Sequence, residues 1–403
     1  MDLTSGMLKN MNASDLVLSG VRTTPIISLS KNSIAARMPL RDHSSEMIDV
    51  MVLDGESGLA LKVVRSLALS PRWRIHVIGL ASETRWHPIA CSVHLASFHI
   101  LAPDLSEDGF VWELMRIVRQ TRAALVVPIL ESTSLVLIRN RAKLETLTRL
   151  ALLPEETDFR AAIDKYSLAR VMTAGAIPHP PTHAWNADGY DLKFPQLIKP
   201  RRSSGGQGIV KVTSREELAA TRAIRSPESY FFQDYIEGDD YGCSVLAEKG
   251  RLLAWTVQRG VGRMSAYAPS LQLQMQNCEP VLAVTRRLMA ELRWSGVANV
   301  DFRLDRRTGQ PLVLEVNGRY WATLFASTIA EVNFPDLACR SALGELIPGI
   351  IPQTRKFSAL KPFVWDLLRF RRKAFRPQIT DLPFILRDPL PELAKLWQRP
   401  WRV

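Results

Sequence analysis

Apolar residues in this chain fall into short runs separated by turn-forming clusters, with no stretch of about 18 or more that predicts a transmembrane helix. Ile48-Asp49-Val50-Met51-Val52-Leu53 is nearly continuous and closes on Asp54-Gly55-Glu56-Ser57-Gly58, the pattern of a buried strand running into a turn. Leu59 to Leu69 has helical spacing and Arg74 to Leu80 predicts a second strand, so a βαβ unit is expected. Phe110 to Gln120 predicts a helix, and Ala124 to Pro128 another buried strand. Residues 47–153 therefore form a small open α/β domain in this reading. Gly55 and Gly58 fall short of the three spaced glycines of a dinucleotide-binding turn.

The pattern then changes. One helix is expected over Asp158 to Ala174, stopped by Gly175, and Pro178, Pro180 and Pro181 enforce an extended segment. Strand Pro195–Pro200, loop Arg201–Gly208 and strand Ile209–Val212 follow, then a helix from Ser214 to Arg225. Tyr230–Tyr235 predicts a strand, Glu237–Tyr241 a turn, and Gly242–Ala247 pairs with Arg251–Gln258 across Lys249-Gly250. Asn299–Arg303 and Leu312–Asn317 alternate with period two around the turn Asp305–Gly309, predicting an antiparallel hairpin. Residues 154–345 are thus a second domain with antiparallel sheets, in an α/β (α+β) chain. Residues 1–46, rich in Ser, Thr, Asn and Met, are expected to be a mobile extension, and 346–403 a C-terminal tail.

Composition adds little until charge is located. Of the 403 residues, 46% are hydrophobic and 23% charged, which excludes a disordered or fibrous chain. Four cysteines without metal-ligand spacing argue against a disulfide framework or zinc site, and suit a reducing compartment. No basic region followed by an apolar stretch opens the chain, so a cytoplasmic location is expected. The net charge of +12 is uneven: Arg355 to Val403 alone carries +8, together with Trp365, Trp397 and Trp401. Phe363 to Phe375 is basic and aromatic. Three roles stay open for the tail: docking on the catalytic domain, peripheral contact with an anionic membrane, or a nucleic-acid patch.

Two features carry candidate chemistry. Gly205, Gly206 and Gly208, flanked by Ser203 and Ser204 and preceded by Lys199, Arg201 and Arg202, make a loop whose backbone N–H groups can approach anionic oxygens. The plain alternative is a long hairpin with basic neighbours. The predicted hairpin sets Asp301 beside Glu315, with Asn317 on the same face, giving two carboxylates and an amide as hard oxygen donors. Magnesium suits such a set, with manganese as the substitute. The alternative is a solvated acidic face, although both acids interrupt apolar strands, where an unpaired charge is costly.

These pieces, in this order, resemble the ATP-grasp superfamily over about residues 154–345, in its carbamoyl-phosphate-synthetase-like and carboxylate–amine-ligase-like members. Ile163-Asp164-Lys165 and the segment Gly175 to Thr182 look like the first ATP lysine and the loop after it. Leu197-Ile198-Lys199-Pro200 looks like the second lysine strand, and the glycine loop like the phosphate cover. Gln233-Asp234-Tyr235-Ile236-Glu237-Gly238-Asp239-Asp240 is similar to the inter-lobe hinge, and Glu315-Val316-Asn317-Gly318-Arg319 to the metal motif.

The resemblance implies a two-lobed ATP-grasp fold and an ATP-dependent ligase. Lys165 and Lys199 would neutralise the α- and β-phosphates, Ser204, Gly205, Gly206 and Gly208 would cover them, and Gln233, Asp234, Tyr235 and Ile236 would hold adenine. Asp240 would accept from the ribose hydroxyls, Asp301, Glu315 and Asn317 would hold magnesium, and Arg319 and Arg259 would face an acyl phosphate formed from a substrate carboxylate. Arg259 reads equally well as a strand-end surface charge. An amine, less often a thiol, would then displace the phosphate. Gln233 replaces a common Glu and Gly318 a common proline. The rival reading is an ATP-binding, membrane-surface regulatory or assembly protein with little ligase activity. Expected partners are small carboxylates and amines, with no specific nucleic acid and with self-association left open.

Overall fold

The computed structural model describes residues 47–81, 87–185, 193–262, 267, 270–369 and 379–398, the side chains of 396–398 aside. The extension 1–46 and most of the basic run after Arg369 lie outside the described residues. The first unit comprises β1 (Ile48–Val52), α1 (Gly58–Leu67), β2 (Trp73–Leu80), a 3-10 turn at Pro88–Cys91, β3 (Leu95–Leu101), α2 (Glu107–Thr121), β4 (Leu125–Val127), α3 (Glu131–Arg139), α4 (Arg141–Leu144) and β5 (Arg149–Leu150). Its strands are parallel in the order β3-β2-β1-β4-β5. Val50, Met51 and Val52 are fully buried because both faces of β1 are covered, which explains the continuous apolar run. Ser57 caps α1, its hydroxyl accepting from the Leu59 N–H at 3.2 Å.

A row of polar groups crosses this otherwise apolar sheet. Asp49 Oδ1 lies 2.6 Å from His76 Nε2, His76 Nδ1 lies 2.7 Å from Ser97 Oγ, and Ser97 Oγ lies 2.7 Å from His99 Nε2. Burial, with His76 and Arg116 nearby, pushes His99 down to about 4, so the imidazole is neutral in the fold.

The second unit begins with a departure from the predicted helix over 158–174. There are two helices, α5 (Glu156–Ile163) and α6 (Lys165–Ala174), broken at Asp164. Asp164 is extended at φ −99° and ψ 109°, and its carboxylate accepts from the Ser167 N–H at 2.9 Å. A short acid competes for backbone donors and starts a new helix in preference to continuing the old one. The break makes Lys165 the first residue of α6. Then come β6 (Thr182–His183), β7 (Gln196–Pro200), β8 (Val210–Val212), α7 (Arg215–Arg222) and β9 (Tyr230–Asp234), in a sheet ordered β6-β9-β7-β8.

A six-stranded sheet completes the molecule, with β10 (Gly238–Glu248), β11 (Arg251–Gly262), β12 (Gln272–Met275), α8 (Glu279–Glu291), β13 (Gly296–Asp305), β14 (Pro311–Asn317), α9 (Leu324–Ile329), α10 (Phe334–Ala342) and β15 (Lys356–Ser358). Its order is β14-β13-β10-β11-β12-β15. The predicted turn at 237–241 is mostly strand: Gly238 already pairs with Asp305, and a Cβ there would sit 2.0 Å from the Leu304 oxygen. Glycine marks close backbone approach at this point.

The described tail docks. β15 extends the sheet through β12, and Phe384 stacks on Phe325 at 4.0 Å. Beyond β15 lie α11 (Leu360–Leu368), α12 (Leu382–Arg387) and α13 (Leu390–Gln398). Asp388, fully buried, accepts from Arg65 Nε at 3.2 Å, Ser92 Oγ at 2.9 Å and the Val93 N–H at 3.0 Å, anchoring the tail on α1. No helix among the described residues is long and apolar enough to cross a membrane.

Removing one partner of a buried, hydrogen-bonded pair strands the other charge, so Asp388→Ala is expected to lower unfolding free energy by about 3–5 kcal/mol. Urea titration against wild type measures it. The depressed His99 gives a second expectation. A base whose folded pKa lies below its free value of 6.5 supports the fold above that value. Stability should therefore fall as pH drops from about 6.5 toward 4, and His99→Gln should reduce the slope of urea midpoint against pH over that window.

Candidate nucleotide and metal site

A cavity of about 250 Å³ opens where the four- and six-stranded sheets meet, and the residues with predicted chemistry converge on it. The hairpin β13–β14 pairs Asp301 directly with Glu315 and Asn299 with Asn317, as period two requires, with a bulge just after Asp301. Asn317 Nδ2 donates to Asp301 Oδ2 at 3.1 Å, and Asn299 Nδ2 donates to Asp301 Oδ1 at 2.8 Å. Asn299 was missed in the sequence reading, although its place two residues before Asp301 puts it on the same face.

The electrostatics follow from burial. Burial and the adjacent Glu315 push Asp301 up to about 8. Against the upward push of burial, Lys165 and Lys199 hold Glu315 below the usual carboxylate range. Lys165, 7% exposed, places Nζ 3.1 Å from Glu315 Oε2 and donates to the Ser203 carbonyl at 2.8 Å. Lys199, 4% exposed, donates to Gln233 Oε1 at 3.0 Å, and burial lowers it to about 8. Two facing carboxylates, one short of compensating charge, with an amide beside them, are a donor set that fits a hard divalent cation also held by phosphates. Among the described residues no group of three or more His, Cys, Asp or Glu side chains could hold a metal ion, so a cation at this pair would draw further ligands from phosphate or water.

The glycine loop joins β7 to β8 as a strand-to-strand connection. Gly205 and Gly206 line the cavity at φ +64° and +76°, in the left-handed region that favours glycine. Ser203 lines it with them, whereas Ser204 and Gly208 are exposed and stand outside the lining. A Cβ on Gly206 would lie 2.2 Å from the Tyr267 carbonyl oxygen, so the loop tip presses on the segment before β12.

Gln233, Asp234, Tyr235, Ile236 and Asp240 all line the cavity, with Asp240 Oδ1 3.0 Å from Arg303 Nη1. The Gln233 side chain, predicted to face adenine, is instead engaged at both ends. Its oxygen accepts from Lys199 and its nitrogen donates to Thr182 Oγ1 at 3.0 Å, because a buried ammonium needs an acceptor. Arg319 lines the cavity and donates to the Tyr320 carbonyl at 2.9 Å. Arg259 is outside the lining: its guanidinium pairs with Asp239 of the adjacent strand at 2.6 Å, the surface alternative. Gln258, Ser270, Tyr267, Arg303 and Trp321 line the cavity without having been singled out. Buried polar residues on strands were the available signal for Gln258.

Two antiparallel sheets close on paired lysines, a glycine loop and a carboxylate pair, an arrangement whose chemistry suits a polyphosphate held with a divalent cation. Residues 226–361 match the family described as ATP-grasp in the biosynthetic pathway with Ter operon. The chain is 27% identical over 180 residues to a D-alanine–D-alanine ligase of Ralstonia nicotianae, covering 39% of this chain and 54% of that protein. The chain thus spans about half the length of that relative. In fold it is similar to an L-amino acid ligase from Bacillus licheniformis, with TM-score 0.56, 17% identity and coverage of 74% and 75% of the two chains. It is also similar to the biotin carboxylase domain of a Hydrogenobacter thermophilus 2-oxoglutarate carboxylase, solved as a dimer with MgADP and bicarbonate, with TM-score 0.60, 16% identity and coverage of 77% and 73%.

Gly205 and Gly206 share a positive φ, but only Gly206 touches a neighbour. Gly206→Ala is therefore expected to weaken ATP affinity about tenfold beyond the effect of Gly205→Ala, read by isothermal titration of both variants.

Proposed function

We propose that this protein is an ATP-dependent ligase that activates a substrate carboxylate as an acyl phosphate and joins it to an amine. The observation that carries the reading is the convergence of Lys165, Lys199, Asp301 and Glu315 on one cavity. Lys165 and Lys199 are buried point charges suited to the α- and β-phosphates of ATP. Gly205 and Gly206 bring backbone over the phosphates without Cβ obstruction. The adenine edge is read by the backbone of residues 234–236, since the Gln233 side chain is spent on Lys199 and Thr182. Asp240 takes the ribose hydroxyls.

Asp301, Glu315 and Asn317 would hold magnesium, which when bound neutralises charge on the β- and γ-phosphate oxygens. Asn299 and Asn317 orient the Asp301 carboxylate through its two oxygens. Arg319 offers a planar, always-charged donor to the acyl phosphate, which arginine can grip bidentately. Glu131, on α3, lies 3.9 Å from Arg319 and ties that turn to the first unit.

Glu315→Ala is expected to abolish carboxylate-dependent ADP formation, a drop of about 100-fold or more, because it removes a metal ligand and the partner of Lys165. A coupled ADP assay with amino acid and bicarbonate donors decides it: ATP turnover unchanged by any carboxylate, or surviving in the variant, rules the reading out.

One observation favours a second property of the same chain, peripheral contact with anionic membrane. α11 leaves Trp365 52% and Leu368 68% exposed just before the basic run that starts at Arg369. Sedimentation with phosphatidylserine vesicles should retain the full chain and lose a Trp365→Glu, Leu368→Glu variant.

A further inference from the structure

The cavity contains a second polar centre that no step above uses. Gln258, on β11 and 6% exposed, directs Nε2 across Gly242, donating to Asn299 Oδ1 at 3.1 Å and to Ser244 Oγ at 3.3 Å. Ser244 Oγ itself donates to Asn299 Oδ1 at 2.9 Å, and Asn299 donates onward to Asp301. The amide is therefore fixed by its nitrogen end. Its oxygen end, buried, has no hydrogen-bond partner among the described residues.

Two residues further along the same face of β11, Gly260 leaves room for Ser270. A Cβ on Gly260 would lie 2.3 Å from Ser270 Oγ, and that hydroxyl is likewise buried without a partner. Gln258 and Ser270 both line the cavity. Buried polar atoms are ordinarily satisfied, so two orphaned oxygens on one cavity wall mark a place for a bound donor. The unbroken series Gln258–Asn299–Asp301 sets that place beside the carboxylate pair, where an activated acyl group would lie.

We propose that Gln258 Oε1 and Ser270 Oγ form the subsite of the attacking nucleophile, and that they select an uncharged amine over a thiol. The proposal rests on the ligase reading above and deepens it by naming the residues that hold the nucleophile. An amide oxygen accepts an N–H hydrogen bond well, whereas S–H is a weak donor. Holding the amine through N–H leaves its lone pair free. Being neutral, Gln258 offers an ammonium form no counter-charge and does not take the proton. The amine nitrogen bonds to the acyl carbon, the carbon–oxygen bond to the phosphoryl group breaks with its electrons going to phosphate, and the nitrogen's extra proton leaves with phosphate.

The test uses full-length protein with ATP, magnesium, D-alanine and the proteinogenic L-amino acids as carboxylate donors, and hydroxylamine as the amine probe. Hydroxamate and released phosphate are both measured. Gln258→Leu and Ser270→Ala should each raise the half-saturating hydroxylamine concentration about tenfold, with a far smaller change in that for ATP, and lower hydroxamate formed per phosphate released. Unchanged hydroxylamine dependence in both variants overturns the subsite. Should Gln258→Leu fail to fold by thermal melting, Ser270→Ala alone decides. Absence of donor-dependent phosphate release from wild type, before hydroxylamine is added, overturns the ligase reading itself and the subsite with it.

Discussion

Two carboxylates facing each other across one hairpin register, on the wall of one cavity, set the terms for the rest of this molecule. Asp301 and Glu315 lie opposite each other in the pairing of β13 with β14, and both are half-buried. Like charges so placed are tolerated only where nearby cations or a proton on one of them offset the repulsion. Lys165 arrives from the first residue of α6 and Lys199 from the middle of β7, on separate elements, to balance Glu315. Asp301, less well balanced, is the group most in need of a metal. The helix break at Asp164, the lysine strand and the asparagines around Asp301 are all understandable as parts of one charge-balancing arrangement.

That arrangement is braced from outside. The parallel unit contributes Glu131 near Arg319, and Lys62 of α1 donates to the Ala322 carbonyl at 2.5 Å, beside cavity residues Trp321 and Thr323. The tail returns through Asp388 to Arg65 on the same helix α1. Arg65 also meets Glu392 at 3.0 Å, so one helix face serves both the turn below the metal motif and the C-terminal strap. Asp388 and Glu392 of the tail are thus engaged within the fold, whereas its Arg355, Lys356, Lys361, Arg369 and Arg387 are exposed. The +12 of the whole chain is a poor guide to its partners.

Legibility in the sequence tracked locality. β1, β2, β4 and the β13–β14 hairpin were visible because a two-residue period or a continuous apolar run is a local signal. α8 and α10 escaped notice, although Pro280 and Pro335 near their starts and their apolar faces were in plain view. β12 and β15 are three or four residues long and exist as strands because β12 finds the edge of β11 and β15 that of β12, non-local events. The continuous helix over 158–174 failed at Asp164, where the carboxylate's capping bond to Ser167 and its ion pair with Arg201 outweighed helical periodicity.

For the site, the sequence alone determined the donors: alternation on two adjacent strands puts Asp301, Glu315 and Asn317 on one face whatever surrounds them. It also determined a permissive glycine loop next to a lysine strand. Only the tertiary structure decided which groups are free to act. Gln233 is drawn off by a buried lysine, Arg259 is paired with Asp239, and Gln258, silent in the sequence, is left with a bare oxygen in the cavity. Side-chain type is written residue by residue, but hydrogen-bond satisfaction depends on partners brought from far along the chain. That accounting closes only once the chain has folded.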